Sequence, residues 1–127
     1  MPAWTTSDLD TIGAADEIDI APRRPDGTTG RFVTIWDVRV GDDVFIRSFH
    51  GPDGHWYRAT QTTGEGRVRV AGVEHDVIFE PASDTDSQAI DDGYRAKYGR
   101  SGYVDAMVTP TAIAATLRIV PNDKEQP

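Results

Sequence analysis

The fold is decided by residues 32–49, which read FVTIWDVRVGDDVFIRSF. The runs Phe32–Val40 and Val44–Phe49 are both rich in β-branched and aromatic residues, a composition typical of strands. Between them, Gly41-Asp42-Asp43 is a short polar loop of the kind that joins two antiparallel strands. The stretch therefore predicts a β-hairpin.

Further strands are predicted on both sides of this hairpin. Residues 17–21 alternate polar and apolar side chains, which indicates a half-buried strand. Residues 67–71 and 73–80 alternate around Gly72 and predict a second hairpin, and residues 115–120 predict a last strand. Six strands joined by short turns tend to close on themselves, because closure removes unpaired edges. We therefore predict an α+β fold, mainly β, built as a small six-stranded antiparallel barrel flanked by two or three helices.

Helices are predicted outside the barrel over residues 6–13, 55–63 and 86–98. In the third of them Ile90, Tyr94 and Tyr98 recur every four residues, a spacing that places them on one buried face. We expect this face to pack against the barrel.

The length and composition of the chain limit the number of domains and the kinds of site that it can contain. The chain has 127 residues, which is typical of one domain, so residues 1–127 are predicted to form a single domain with a frayed polar tail from about residue 121. It contains no cysteine. Disulfides, thiolate metal sites and cysteine nucleophiles are therefore excluded.

The charge and hydropathy of the chain narrow the classes of partner. The formal net charge is −8 at pH 7, which disfavours binding to nucleic acid because the phosphate backbone is itself negative. No stretch approaches the roughly 20 apolar residues of a membrane-spanning helix, and the first residues lack the features of a secretory signal. The chain is therefore expected to be cytoplasmic, with neither nucleic acid nor membrane as a partner.

Basic residues nevertheless cluster along this acidic chain. The clusters are Arg23, Arg24 and Arg31, then Arg39, Arg47 and Arg58, then Arg67 and Arg69. A basic pocket on an acidic protein suits a small anionic ligand. The same arginines can equally lie on outer strand faces, and the sequence leaves both interpretations open.

The strongest candidate for a binding site is the segment Gly51–Arg58, which reads GPDGHWYR. Trp56 and Tyr57 stand at the start of a predicted helix, where two large aromatic side chains can form the wall of a pocket for a flat ring. Arg58 and the helix N-terminus would then face an anionic group. Alternatively, Trp56 plugs the barrel as a core residue and Tyr57 lies at the surface.

Metal binding is not predicted. The histidines are His50, His55 and His75, and their spacing matches no known ligand motif even when Asp37 or Asp53 is added. A histidine-based metal site is therefore a weak hypothesis.

Acid–base and nucleophilic sites are also not predicted. Ser48 and His50 lie on one predicted strand with no orienting carboxylate, so they do not indicate a nucleophile and its base. The adjacent pairs Asp42-Asp43 and Asp91-Asp92 are expected to be solvated, because neighbouring side chains do not face each other.

Four segments together carry a family resemblance: Trp4-Thr5-x-x-Asp8-Leu9, Val33-Thr34-Ile35-Trp36-x-Val38-Arg39, Gly51-Pro52-Asp53-Gly54-x-Trp56-Tyr57-Arg58 and Tyr94-Arg95-x-Lys97-Tyr98-Gly99. With these segments the chain resembles, nearly end to end, a bacterial family known as the domain of unknown function 2255 (DUF2255). The resemblance identifies a family and supplies no activity.

A second resemblance rests on the order of four features: Arg31, Gly41-Asp42, Trp56-Tyr57 and Arg67-Val68-Arg69-Val70. From Thr29 to about Tyr98 the chain looks like the deazaflavin-dependent nitroreductase group of split β-barrel proteins. That resemblance implies a six-stranded antiparallel split β-barrel, often a homodimer, with FMN or coenzyme F420 bound in a groove beside the Trp-Tyr helix. The lysine of that group's basic loop is missing from residues 27–30, and its asparagine after the aromatic pair is missing from residues 59–60.

The second resemblance also implies where a cofactor would bind. The predicted cofactor-binding residues are Arg31, Arg47, Ser48, His50, Trp56, Tyr57 and Arg58. Arg31, Trp56 and Tyr57 match the group's pattern, and the others are added because they lie near these on the predicted strand and helix. The phosphate is expected near the arginines and Ser48, and the ring near the two aromatic residues.

The implied function is a flavin- or F420-dependent oxidoreductase, similar to nitroreductases, that acts on a small molecule. No catalytic residue is predicted. The alternative is a cofactor-free protein on the same barrel, either a small-molecule binder or an accessory biosynthetic protein, since fold alone does not decide between these functions.

Overall fold

The structure is a computed structural model that describes residues 4–82 and 86–122. The strands are β1 (Ile18–Pro22), β2 (Val33–Ile35), β3 (Asp37–Val40), β4 (Asp43–Arg47), β5 (Glu65–Val70), β6 (Val73–Pro81) and β7 (Thr116–Pro121). The helices are α1 (Thr6–Ala14), α2 (His55–Thr63), α3 (Ser87–Tyr98) and α4 (Pro110–Ile113), with 3-10 turns at Gly51–Asp53 and Val104–Met107. Of the tail predicted to fray, residues 123–127 lie outside the described residues.

The described strands form one antiparallel sheet in the order β2-β1-β5-β6-β7-β4-β3. The two strands at the ends of this order, β2 and β3, are consecutive in the chain and separated only by Trp36. The sheet must therefore curl until its two ends come close together. The result is a mainly β, nearly closed antiparallel barrel with helices around it.

The predicted number of six strands is wrong, since the sheet has seven. The predicted strand at residues 32–40 is two strands, because the chain changes its pairing partner at Trp36. Before this residue Ile35 pairs with Ile18 of β1, and after it Asp37 pairs with Ile46 of β4. The Trp36 ring leaves the sheet and stacks on Tyr98 of α3, with ring centroids 4.1 Å apart and planes inclined by 3°.

Two apolar cores lie on opposite sides of the sheet. The barrel interior is filled from the strands by Ile18, Ile20, Val44, Ile46, Val68, Val70, Val77, Phe79, Leu117 and Ile119. Trp4, Leu9 and Ile12 close this interior, and the Trp4 indole N–H donates to the Ile119 carbonyl at 2.9 Å. The second core lies under α3, where Ile90, Tyr94 and Tyr98 are buried as the four-residue spacing predicted.

Candidate functional site

A basic groove lies between α2 and the hairpin that connects β1 to β2. We call it the arginine groove, and its volume is about 260 Å³. The polar side chains that line it belong to Arg23, Arg24, Arg31, His55 and Thr62, and the other lining residues are Pro22, Pro25, Gly30, Val33, Trp56 and Ala59. The groove therefore combines positive charge with one large aromatic side chain.

The shape of the β1–β2 hairpin places its arginines along one side of the groove. The turn contains Gly27 with φ +90°, a conformation that favours glycine. Asp26 accepts hydrogen bonds from the Thr28 hydroxyl at 2.6 Å and the Thr28 backbone N–H at 2.9 Å. These bonds, with a smaller contribution from the charge of Arg24, lower the pKa of Asp26 and stabilise the turn.

Charge in the groove is only partly compensated. Arg23 is 3.8 Å from the Asp76 carboxylate, and its buried Nε has no hydrogen-bond partner. Arg24 donates weakly to the Thr28 hydroxyl at 3.5 Å and to the Thr29 carbonyl at 3.4 Å. Within residues 4–82 and 86–122, neither Arg24 nor Arg31 makes an ion pair. An anion in the groove would therefore meet two guanidinium groups that are not engaged in an ion pair, with the Asp26 carboxylate as the nearby charge that acts on Arg24.

Trp56 has features of both interpretations that the sequence left open. It is half-buried and packs against the barrel core, and it also lines the groove. Tyr57 is half-buried and packs on the same core, with its ring edge-on to Trp56 at a centroid distance of 6.3 Å. His55, the first residue of α2, is exposed and lines the groove.

Of the seven residues predicted to bind a cofactor, the structure brings Arg31 and Trp56 together in the arginine groove. Tyr57 and Arg58 lie on α2 beside it, outside its lining. His50 is exposed in the preceding turn and packs on Phe49, with ring centroids 4.0 Å apart. The structure therefore gathers only part of the predicted set at one place.

Arg47 and Ser48 are buried away from the groove lining. The guanidinium of Arg47 lies under α3, where it pairs with Asp91 and donates to the Met107 carbonyl at 2.9 Å and the Thr116 hydroxyl at 3.0 Å. The interpretation of Asp91 as part of a solvated acidic face is therefore wrong. The physical reason is strand alternation, since Arg47 points to the outer face of β4, towards α3.

The predicted set of cofactor-binding residues omits Arg23, Arg24 and His55, although all three line the groove. For the two arginines, the sequence contained a signal that they lie close to Arg31. A turn at Pro25-Asp26-Gly27 folds the chain back on itself, and Arg23 forms a bridge with Thr29 across it. Basic residues before and after that turn are therefore neighbours in space.

Ser48 positions the start of α2 through contact with Gly54. Gly54 is the N-cap of this helix and is buried, and a Cβ atom added there would overlap the Ser48 hydroxyl. The added Cβ would also lie 3.3 Å from the Gly51 carbonyl. The helix that carries Trp56 therefore starts at a point of close packing.

The substitution Gly54→Ala is expected to lower the free energy of unfolding by about 1–2 kcal/mol, a cost typical of overpacking a buried contact. Urea unfolding of both proteins measures the difference. The double variant Ser48→Ala/Gly54→Ala removes the overlapping hydroxyl and should recover part of the loss. Equal stability of the single variant and the wild type would show that this contact is not tight.

A separate buried carboxyl, Asp37, lies where the chain crosses from β2 to β3. Its Oδ1 is 3.2 Å from the Lys97 ammonium group, whereas its Oδ2 is buried and has no hydrogen-bond partner. Burial raises the pKa of Asp37 to about 6, although the charge and hydrogen bond of Lys97 partly oppose this rise. Asp37 is not part of the groove lining, so it has no direct role in the groove's charge.

Residues 4–82 and 86–122 contain no group of three or more histidine, aspartate or glutamate side chains placed to hold a metal ion. No helix among the same residues is long and apolar enough to cross a membrane.

Comparison with known proteins assigns the sequence at the family level. The family described as "Uncharacterized protein conserved in bacteria (DUF2255)" matches residues 8–119. No curated protein matches the chain significantly.

Several solved structures have the same fold as this chain. An FAD-binding protein from Mesorhizobium loti has a TM-score of 0.63 at 15% identity, over 94% of this chain and 91% of that one. An F420-H2-dependent reductase has a TM-score of 0.62 at 14% identity, over 83% and 93%. A heme-binding protein from Mycobacterium smegmatis has a TM-score of 0.58 at 10% identity, over 89% and 48%. At these identities the likeness shows the fold alone.

Proposed function

The chain belongs to the DUF2255 family, and from this premise we propose that its arginine groove binds a flavin-type cofactor, either FMN or coenzyme F420. The observation that carries the proposal is the joining of Arg31 and Trp56 in one groove. A flavin or deazaflavin has a flat ring at one end and an anionic group at the other. Support comes from barrels of the same fold whose names describe binding of FAD or use of F420.

The chemistry of the groove fits such a ligand. Arginine side chains suit a phosphate because their planar guanidinium groups donate paired hydrogen bonds to its oxygens. Trp56 and the neighbouring apolar residues supply a surface for a ring. The buried Nε of Arg23, which lacks a partner, is a further donor at this site.

The volume of the groove limits what it encloses. About 260 Å³ is below the roughly 300–1,000 Å³ typical of pockets for small molecules. The groove would therefore enclose part of a flavin-sized ligand and leave the remainder at the surface. A bound flavin or deazaflavin would supply hydride transfer, and the chain's own residues would bind and orient it.

On this proposal the protein is an oxidoreductase similar to nitroreductases, and its substrate is a small molecule. The alternative is a cofactor-free binder of small anions in the same groove, which the absence of ion pairs to Arg24 and Arg31 within the described residues equally supports. The two functions differ in whether the purified protein binds a flavin.

Titration with FMN and with coenzyme F420, followed by tryptophan fluorescence, tests the proposal directly. Saturable binding of at least one of them in the micromolar range is expected. Hemin is titrated in parallel, because a heme-binding protein shares the fold. The absence of binding by both FMN and coenzyme F420 at tens of micromolar would contradict the proposal and favour the cofactor-free alternative.

The variant Arg31→Ala is expected to weaken binding of the preferred cofactor about 10- to 100-fold, since it removes a charge-assisted contact to the anionic end. Arg100→Ala is the matched control, because Arg100 is an exposed arginine outside the groove lining. Equal weakening by both variants would indicate a general effect of net charge instead of a contact in the groove.

A further inference from the structure

We infer that Arg24 and Arg31 form a recognition site for a terminal phosphate, so that the groove selects the phosphorylated form of its ligand over the unphosphorylated form. The inference rests on the proposed function, and it names Arg24 as a specificity-determining residue. It moves the expected phosphate position away from Arg47 and Ser48, which are buried elsewhere.

The hairpin between β1 and β2 places the two arginines on either side of Gly30, and all three residues line the groove. The backbone there is fixed, because the Gly30 N–H donates to the Pro22 carbonyl at 2.9 Å. A Cβ atom added to Gly30 would lie 3.8 Å from the Arg24 guanidinium. The missing side chain therefore leaves space beside Arg24 that a phosphate oxygen can enter.

Arg24 is held in place and makes no ion pair within the described residues, although the Asp26 carboxylate of the same turn interacts with its charge. Its guanidinium donates to the Thr28 hydroxyl at 3.5 Å and to the Thr29 carbonyl at 3.4 Å, and both acceptors are uncharged. These bonds are long, so exchanging them for shorter bonds to an anionic phosphate is favourable. The neighbouring Arg23 is different, because it already faces the Asp76 carboxylate at 3.8 Å.

Arg31 is the second unpaired cation on this side of the groove. It is exposed and makes no ion pair within the described ranges 4–82 and 86–122. Two guanidinium groups without an ion-pair partner suit a phosphate monoester such as that of FMN, which carries a charge of about −1.5 to −2 near neutral pH. An unphosphorylated flavin offers no anionic group to either arginine, so it loses both charge-assisted contacts.

The test compares FMN with riboflavin, which differ only in the phosphate, by flavin fluorescence titration of the wild-type protein. FMN is expected to bind at least about tenfold more tightly. For the deazaflavin, the corresponding pair is the deazaflavin-ribityl core of coenzyme F420 and the 5′-phosphate monoester of that core, because the phosphate of the intact coenzyme is an internal diester. Equal affinity within each pair overturns this inference and leaves the proposed function intact, whereas binding of none of the four ligands overturns both.

Variants then assign the preference to a residue. Arg24→Gln is expected to weaken binding of the phosphorylated ligand about tenfold and to leave the unphosphorylated ligand unchanged. Arg100→Gln is the control and should change neither affinity. Because Arg24 is exposed, both variants are expected to fold, and thermal melts check this. If Arg24→Gln weakens the binding of both ligands equally, Arg24 does not recognise the phosphate and the assignment is wrong.

Discussion

Replacing Arg47 with alanine is expected to lower the free energy of unfolding by about 3–5 kcal/mol, the range measured when one partner of a buried ion pair is removed. The Arg47 side chain is fully buried and pairs with Asp91, whose side chain is only 22% exposed. The truncation would leave Asp91 without its counter-ion and the Met107 carbonyl without its donor. Total stability of a domain is about 5–15 kcal/mol, so this one change removes a large share of it.

Urea unfolding of the wild type and Arg47→Ala measures the effect. Arg58→Ala is the matched control, because Arg58 is exposed, and its change should stay within about 0.5 kcal/mol. Asp91→Ala should also destabilise the chain, and the double variant should cost less than the sum of the two single changes, because the residues are in contact. A loss below about 1 kcal/mol for Arg47→Ala would show that the buried pair contributes little.

The same residue shows what the sequence could not reveal. Its position at a strand end suggested a ligand contact, because strand ends and the following turns line grooves in barrels. Strand alternation places the side chain on the outer face of β4, but whether α3 covers that face is a long-range property. The partner Asp91 lies 44 positions further along the chain, and nothing in the local pattern of Asp91-Asp92 distinguishes a buried carboxylate from a solvated one.

Local patterns did predict the elements that carry the site. The predicted helix 55–63 has the bounds of α2, because Gly64 ends it in the left-handed conformation with φ +73°. The turn at Pro25-Asp26-Gly27 was also recognisable from its composition. What could not be predicted was their contact, since the packing of the β1–β2 hairpin against α2 depends on the curvature of the whole sheet.

The change of pairing partner at Trp36 could not be predicted from the sequence for a similar reason. Residues 33–40 continue the strand composition without a glycine or proline, so no local signal separates β2 from β3. The chain leaves one partner strand for another because the barrel must close there. Trp36 is accommodated by stacking on Tyr98, which belongs to a helix more than fifty residues away in the chain.

This crossing point also leads to a prediction about pH. The substitution Asp37→Asn is expected to stabilise the chain relative to the wild type at pH 7 by more than it does at pH 3, with a difference of about 3 kcal/mol between the two. Burial raises the pKa of Asp37 from 3.8 to about 6 in the folded chain. The folded state therefore holds more protons than the unfolded state between these values, so the contribution of this carboxyl to stability falls as the pH rises through that window.

The groups around Asp37 modify the effect without reversing it. Lys97 of α3 provides an ion pair at 3.2 Å, and the Tyr98 hydroxyl accepts a hydrogen bond from the Asp37 backbone N–H at 3.2 Å. The ion pair lowers the pKa of the carboxyl, but the cost of burial is the larger influence. Asparagine preserves the shape of the side chain and removes the charge, so comparison of the two proteins isolates the titration of Asp37.

Unfolding free energies measured from pH 3 to pH 7 for the wild type and Asp37→Asn provide the test. Other carboxylates titrate in both proteins and cancel in the difference, taken as the free energy of unfolding of the wild type minus that of the variant. This difference should fall as the pH rises, mainly between about pH 4 and pH 6. Asp42→Asn, at an exposed carboxylate in the turn between β3 and β4, is the matched control and should change the difference by less than about 1 kcal/mol. A constant difference for Asp37→Asn would mean that Lys97 compensates the burial completely. A difference that rises with pH would mean that the ion pair dominates and the pKa of Asp37 is lowered.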